Sequence, residues 1–239
     1  MKWSPLAEKV HQSLIRKNLL EQNDKILLAV SGGVDSVVML SVFLELQERW
    51  NWELVVGHID HGLRPLDDKK ESQFCRELAE KNNLLYVEET VDLDSIESKE
   101  EYAIISSQNP SIESLARDVR YKVFLRWKNN LKCDAVCTAH HANDQAETVL
   151  YRMLTGAGLK GLTGIPVTRG FIKRPLLTFL RKEIENYAKE RGLYYFLDYS
   201  NADEKFARNK IRHSVLPTLK NMGFPRCETA LANSGLALE

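Results

Sequence analysis

The chain has 239 residues, 33 Lys/Arg against 33 Asp/Glu, and a 44% hydrophobic content. That length and apolar fraction suit one large α/β domain with a small appendage. No stretch approaches the roughly 18 apolar residues of a membrane span, and Met1–Leu20 is charged throughout, so neither a membrane anchor nor a signal peptide is expected.

Leu6–Leu20 has an amphipathic helical pattern, with Ser4 placed to cap it and Pro5 at the first helical position. Lys25–Ser31 follows as an apolar, buried strand. It runs directly into Ser31-Gly32-Gly33-Val34-Asp35-Ser36 and then into the helical segment Val37–Leu46. Glycines permit positive φ and close backbone approach to a ligand. A helix N-terminus adds free N–H groups and a positive dipole end. Together these make an anion site suited to phosphate. No Lys-Ser/Thr follows the glycines, so the turn is not a Walker A loop. An ordinary glycine turn would explain Gly32 and Gly33 alone. The full string between a strand and a helix favours phosphate.

Further on, Glu53–Asp60 is predicted as a strand, the segment within Asp67–Lys81 as a helix, and Leu84–Glu88 as a short strand. Val91–Pro110 is polar and aperiodic, as a long loop would be. Ser111–Trp127 is a helix, Ala135–Ala139 a strand, and Asn143–Leu154 the helix after it. Gly156, Gly158, Gly161 and Gly164 mark a flexible connection. Thr178–Arg191 and Asn209–Lys220 are the last two predicted helices. Strands alternating with helices imply a doubly wound parallel sheet, with ligands bound past the carboxyl ends of its strands. The expected division is 1–160, the α/β domain that carries the phosphate turn, and 161–239, a basic and mainly helical extension.

Charge is unevenly spread. Pro65–Tyr102 holds 12 acidic and 5 basic residues, whereas Lys160–Lys220 holds 13 basic and 6 acidic ones. Such runs are usually solvated faces, but the basic one offers a place for a polyanion. Cys75, Cys133, Cys137 and Cys227 are scattered and lack a C-x-x-C pair, as expected for reduced cytoplasmic thiols rather than a disulfide framework or zinc site.

Polar clusters begin where predicted strands end: His58-Ile59-Asp60-His61-Gly62-Leu63-Arg64, and Thr138–Thr148 with His140 and His141. Asp144 and Glu147, three apart, share a helix face. They either complement the helix dipole or, with Asp35, hold Mg²⁺ against phosphates. The four histidines fit no common zinc spacing. Ser114, Arg117, Arg120 and Tyr121 form one stripe, able to neutralise phosphates and meet a base or ribose. Arg174–Leu177 and Asp198–Asn201 are further polar segments. Arg208 and Arg212, four apart, are candidates for a phosphate or an acidic substrate.

The glycine turn resembles the PP-loop of the ATP pyrophosphatases. Together with His58–Arg64, Glu113–Tyr121, Thr138–Thr148, Gly158–Leu162, Arg174–Leu177 and Arg208–Arg212, it resembles the tRNA(Ile)-lysidine synthetase family, in family order over residues 25–217. The resemblance implies ATP and Mg²⁺ as cofactors. Its substrates would be L-lysine and the isoleucine tRNA with a CAU anticodon. The implied activity replaces the C2 oxygen of the wobble cytidine with lysine through an adenylated base. By the same resemblance, Ser31, Gly32, Gly33, Val34, Asp35, Ser36, His58, Arg117, Tyr121 and His140 bind the nucleotide. Asp35, Asp144 and Glu147 hold the metal, and Arg117, Arg120, Arg208 and Arg212 join them in catalysis. A cytoplasmic location is implied, and a homodimer is compatible with it. Family members commonly continue into C-terminal domains that hold tRNA. The nearest alternative is a tRNA thiolase of the same superfamily. Its paired cysteines have no clear counterpart, since Cys133 and Cys137 fall in or beside a strand, where alternate spacing makes them small core residues. A catalytically inactive RNA-binding module is the alternative of another class.

Overall fold

The computed structural model describes residues 3–60, 65–91, 112–196 and 207–238. The chain forms two compact units that interleave in sequence. One comprises Leu20–Gly32 and Gln47–Cys137, the other Met1–Leu19, Gly33–Leu46 and Thr138–Glu239. The segments 61–64, 92–110 and 198–201, where a histidine cluster, a long loop and a polar turn were expected, lie outside the described residues.

The first unit holds the parallel strands β1 (Lys25–Ala29), β2 (Glu53–Asp60), β3 (Leu85–Thr90) and β4 (Ala135–Cys137), in the order β3-β2-β1-β4. Ile26, Leu27, Leu28, Val55, Val56 and Val136 are fully or almost fully buried, as near-continuous apolar parallel strands must be. Helices α3 (Pro65–Lys81) and α4 (Ile112–Leu131) belong to the same unit. Gly57 is required by packing: a Cβ there would stand 2.8 Å from the Trp127 ring. The strand order reverses between β1 and β4, and open α/β sheets generally bind ligands at such a point, where segments leave the two strands. They are Val30–Ser36 and Thr138–Asp144.

Both segments lead into the second unit. Helix α2 (Val34–Trp50) begins at the turn, three residues earlier than predicted. Helix α1 (Pro5–Lys17) starts as its sequence demands: Ser4 Oγ accepts from Ala7 N at 3.1 Å, and Asn18 ends the helix in the left-handed region at φ 46°. Glu45 ties three helices together. Its carboxylate accepts from Ser4 N at 2.8 Å, from Tyr187 Oη at 2.5 Å and from Arg191 Nη2 at 2.8 Å. Burial and the Glu45 carboxylate push the Tyr187 phenol up to about 12.

Strand β4 stops at Cys137 rather than continuing to Ala139, because His141 N-caps helix α5 (Ala142–Leu154). Its capping box pairs Asp144 N with His141 Nδ1 at 3.2 Å and His141 N with Asp144 Oδ2 at 2.9 Å. The glycine-rich connection after α5 contains a short helix, α6 (Leu159–Leu162), and it is pinned rather than flexible. Arg152 Nη1 donates to the carbonyls of Gly161 and Gly164 at 2.6 and 2.7 Å. Gln145, fully buried, donates to Thr163 O at 2.8 Å and accepts from Ile165 N at 2.5 Å. Gln145→Leu strands both backbone groups. Each unsatisfied group costs about 1–3 kcal/mol. Urea unfolding should register a loss of about 2–4 kcal/mol, and an unchanged midpoint would show that water replaces the amide.

A small antiparallel hairpin, β5 (Thr168–Arg169) and β6 (Ile172–Lys173), precedes helix α7 (Arg181–Glu190). Helix α7 begins three residues later than predicted, where Asn143 Oδ1 accepts from Arg181 N at 2.9 Å. The predicted Asn209–Lys220 helix is a composite of α8 (Ala207–Lys210), a wide turn Ile211–Val215, and α9 (Leu216–Asn221). In the wide turn Leu216 N reaches back five residues to Ile211 O. Pro217 has no N–H to give to the turn before it, and its ring crowds the preceding carbonyls, so the helix widens there. The last helix, α10 (Cys227–Ala237), was not predicted. Ala232 packs with Ala142 and Ala146 of α5. Gly235 comes so close that a Cβ would lie 2.7 Å from Val149 Cγ2.

Candidate active site

The second unit gathers Asp35, His141, Asp144, Glu147, Arg208 and Arg212. Asp144 and Glu147 stand on the first turns of α5. Arg208 comes from α8, Arg212 from the wide turn. Arg208 Nε donates to Glu147 Oε2 at 3.0 Å and Arg208 Nη2 to Asp144 Oδ1 at 3.2 Å. Arg212 Nε donates to Glu147 Oε1 at 2.6 Å, and its Nη2 reaches Glu147 Oε2 at 3.0 Å and Asp144 Oδ1 at 3.3 Å. Two guanidiniums thus clamp two carboxylates, one of which, Glu147, is almost completely buried.

Burial alone would raise the Asp144 carboxyl. The charges of His141, Arg208 and His140, with the His141 backbone N–H, overcome it and hold Asp144 far below the usual carboxylate range. Burial would lower Arg212, but the hydrogen bonds and charge of Glu147 reverse that, so Arg212 is held more firmly charged. Asp35 goes the other way: desolvation raises it, against the opposing charges of His141 and Arg181.

Asp35 sits in the first turn of α2. His141 Nδ1 accepts from Asp144 N at 3.2 Å, and its other ring nitrogen, Nε2, faces Asp35 Oδ2 at 3.7 Å. Asp35 Oδ1 is buried without a hydrogen-bond partner. An ionised oxygen in that state is costly unless a cation or donor arrives. The turn itself takes the expected form. Gly32 adopts φ 88°, and Ser36 Oγ and Val37 N both converge on Gly33 O, at 2.9 and 3.1 Å. His140 Nδ1 lies 3.0 Å from Thr138 Oγ1.

The other sequence-predicted residues belong to the first unit. Buried His58 donates from Nδ1 to Val30 O at 2.8 Å, so Nε2 is the acceptor of its neutral ring. Cys75 Sγ approaches the same carbonyl at 3.7 Å, and burial pushes its thiol up to about 12, which makes it an inert core residue. Arg117 and Tyr121 share a face of α4, with the guanidinium 5.6 Å from the ring centroid. Arg120 is half-buried one turn along.

Sequence reasoning singled out both pairs but not their union. It also missed His141 as the link between Asp35 and Asp144, and Asn143 as the group that starts α7. The capping pattern His141-x-x-Asp144 was the available signal for His141; none pointed to Asn143.

Among the described residues no three Asp, Glu, His or Cys side chains converge as a metal cage, and no helix is long and apolar enough to cross a membrane.

The PP-loop domain family model matches residues 5–219. The chain is 39% identical over 218 residues to the tRNA(Ile)-lysidine synthase of Thermosipho africanus, covering 91% of this chain and 49% of that protein. It is 33% identical to the tRNA(Ile)-lysidine synthase of a Synechococcus species, covering 97% of this chain and 68% of that protein. It spans about half the length of the first of these relatives. Among solved structures, the U34-tRNA thiolase of Methanococcus maripaludis superposes with a TM-score of 0.73 at 21% identity, over 97% of this chain and 76% of that one. That likeness concerns the fold.

Proposed function

The chain belongs to the PP-loop family and, within it, to the tRNA(Ile)-lysidine synthases, and from that premise we propose that it joins lysine to C2 of the wobble cytidine in the CAU-anticodon isoleucine tRNA. The observation that carries this reading is the clamp of Asp144 and Glu147 by Arg208 and Arg212 beside the buried, unpartnered Asp35 oxygen. A fold scaffold has no need of an orphaned carboxylate beside a saturated ion cluster. An ATP-cleaving site has use for both.

In the proposed first step the cytidine O2 attacks the α-phosphorus and the bond to pyrophosphate breaks. In the second, the neutral lysine amine attacks C2, the C2–O bond breaks, and AMP leaves with that oxygen while the amine loses a proton to a base. Amides of the Ser31–Ser36 turn, with Arg117 and Arg120, would bear the charge that develops on the phosphates. Tyr121, His58 and His140 would line the nucleoside.

The donor set fits Mg²⁺, which accepts one or two carboxylates and takes its other ligands from phosphates and water. Asp35 is the residue best suited to hold it, because its Oδ1 has no partner. Asp144 and Glu147 already accept from arginines, so they could join only as those guanidiniums give way. When bound, the ion would withdraw charge from the phosphates. The division into an ATP-binding part, 1–160, and a basic extension, 161–239, is kept as a functional proposal, as is the cytoplasmic location.

Incubation of the chain with tRNA, ATP, Mg²⁺ and lysine, followed by mass analysis of the nucleosides, tests the reading. Lysidine should appear together with equimolar AMP and pyrophosphate. A thiolated nucleoside, or unmodified tRNA with no AMP, would overturn it.

A further inference from the structure

A cleft of about 640 Å³ opens in the second unit beside α1, and none of the Asp144 cluster's side chains line it. Lys9, Gln12, Arg16 and Lys17 of α1 line one wall, the first three on one helical stripe and Lys17 beside it on the last turn. Thr178 and Asn233 line the other, and the floor is buried. Among the described residues no acidic side chain lines the cleft. Lys9 is paired at its rim with Glu183 at 2.8 Å, and Gln12 leans on Glu8 at 3.1 Å. At the other end Arg16 and Lys17 form no ion pair among the described residues. Their charges stand with the neutral donors of Thr178 and Asn233.

We propose that this cleft is a second RNA contact, which holds the sugar-phosphate backbone of the tRNA on groups outside the Asp144 cluster. It rests on the tRNA reading above. Several features fit a polyanion rather than a small metabolite. Its two cations without an ion pair among the described residues, Arg16 and Lys17, are neighbours on the last turn of α1, so their charges add at one end of the cleft. Its neutral lining groups are hydrogen-bonding side chains, which commonly complete phosphate contacts. The carboxylate at its rim, Glu183, is already taken up by an ammonium, that of Lys9. The contact draws on the N-terminal helix, outside the basic third Lys160–Lys220 to which sequence charge alone assigned the tRNA. Binding there positions the RNA without reading its sequence.

The test is tRNA affinity against salt for the Arg16→Gln/Lys17→Gln variant, with Arg16→Glu/Lys17→Glu as the stronger perturbation. Glutamine keeps helix propensity and length, so the fold is retained, as circular dichroism checks. Dissociation constants should rise about tenfold for the glutamine variant and further for the glutamate one, while the slope of log K against log salt falls by about 2. ATP binding should stay unchanged in both. Unchanged affinity and slope in a folded glutamate variant would overturn the proposal. Failure of the lysine reading looks different: wild-type chain would leave tRNA unmodified, yet its tRNA binding would still collapse in the variants. Equal loss of ATP and tRNA binding would also overturn the proposal, because the cleft would then act through the nucleotide site.

Discussion

Asp35→Asn should lose about 10²–10³ of lysine incorporation while its melting temperature stays level or rises. The two halves of that result share a cause. Asp35 Oδ1 is buried with no partner, and desolvation raises the carboxyl above its ordinary value. A carboxyl raised on folding is most favourable to the native state below the unfolded value near 3.9, and that contribution is lost as pH climbs through the raised folded value. At neutral pH the ionised group therefore costs stability, and the neutral amide removes the cost. The same substitution removes the negative charge that the unpartnered Oδ1 offers a cation at the turn. Lysine incorporation into tRNA, and thermal unfolding at pH 7 and pH 4, measure both sides. Near-normal turnover would remove Asp35 from the reaction. A large fall in melting temperature would make it a structural residue.

What the sequence discloses follows physical range. The β1–turn–α2 unit is legible because its signals are local: an apolar run, two glycines, and an apolar period that starts at once. The faces Asp144/Glu147 and Arg208/Arg212 are legible for the same reason, since i,i+3 and i,i+4 spacing fixes a helix face. Their meeting is not, because it spans 61 to 68 residues and no local pattern encodes it. Helix α10 was missed because its sequence carries a glycine, an asparagine and two serine or threonine residues and only a weak apolar stripe. It is helical because Ala232 and Gly235 fit against α5, a tertiary cause that overrides propensity. Hairpin β5–β6 has two residues a strand, too short for alternation to register. The wide turn at Ile211–Val215 has a local signal, Pro217, which the expectation of one Asn209–Lys220 helix did not use. Asp35 was named from its motif, but the His141 ring that faces its Oδ2 lies more than a hundred positions away.

Arg212→Gln should unfold the chain at a markedly lower temperature, and adding Glu147→Gln should restore part of the loss. Glu147 is almost fully buried, and Arg212 covers both of its oxygens, while Arg208 shares one of them. Removing one partner of a buried pair leaves an uncompensated charge and costs about 3–5 kcal/mol, whereas replacing both together is often far milder. At about 2–4 °C per kcal/mol for a chain of this size, the single variant should melt roughly 10 °C lower. The double variant should recover about 0.5–3 kcal/mol relative to the sum of the singles. Activity must be read well below both melting points. There, if the clamp serves the reaction, the double variant stays inactive although its stability has partly returned. Acid pH offers a second check on the same cluster. Asp144 is held below its unfolded value, so its stabilisation is complete above about pH 4 and is lost as pH falls towards the depressed folded value. Asp144→Asn should therefore flatten the acid limb of stability against pH. Strictly additive losses in the Glu147–Arg212 cycle, with an unchanged acid limb in Asp144→Asn, would mean that the four side chains do not act as one unit.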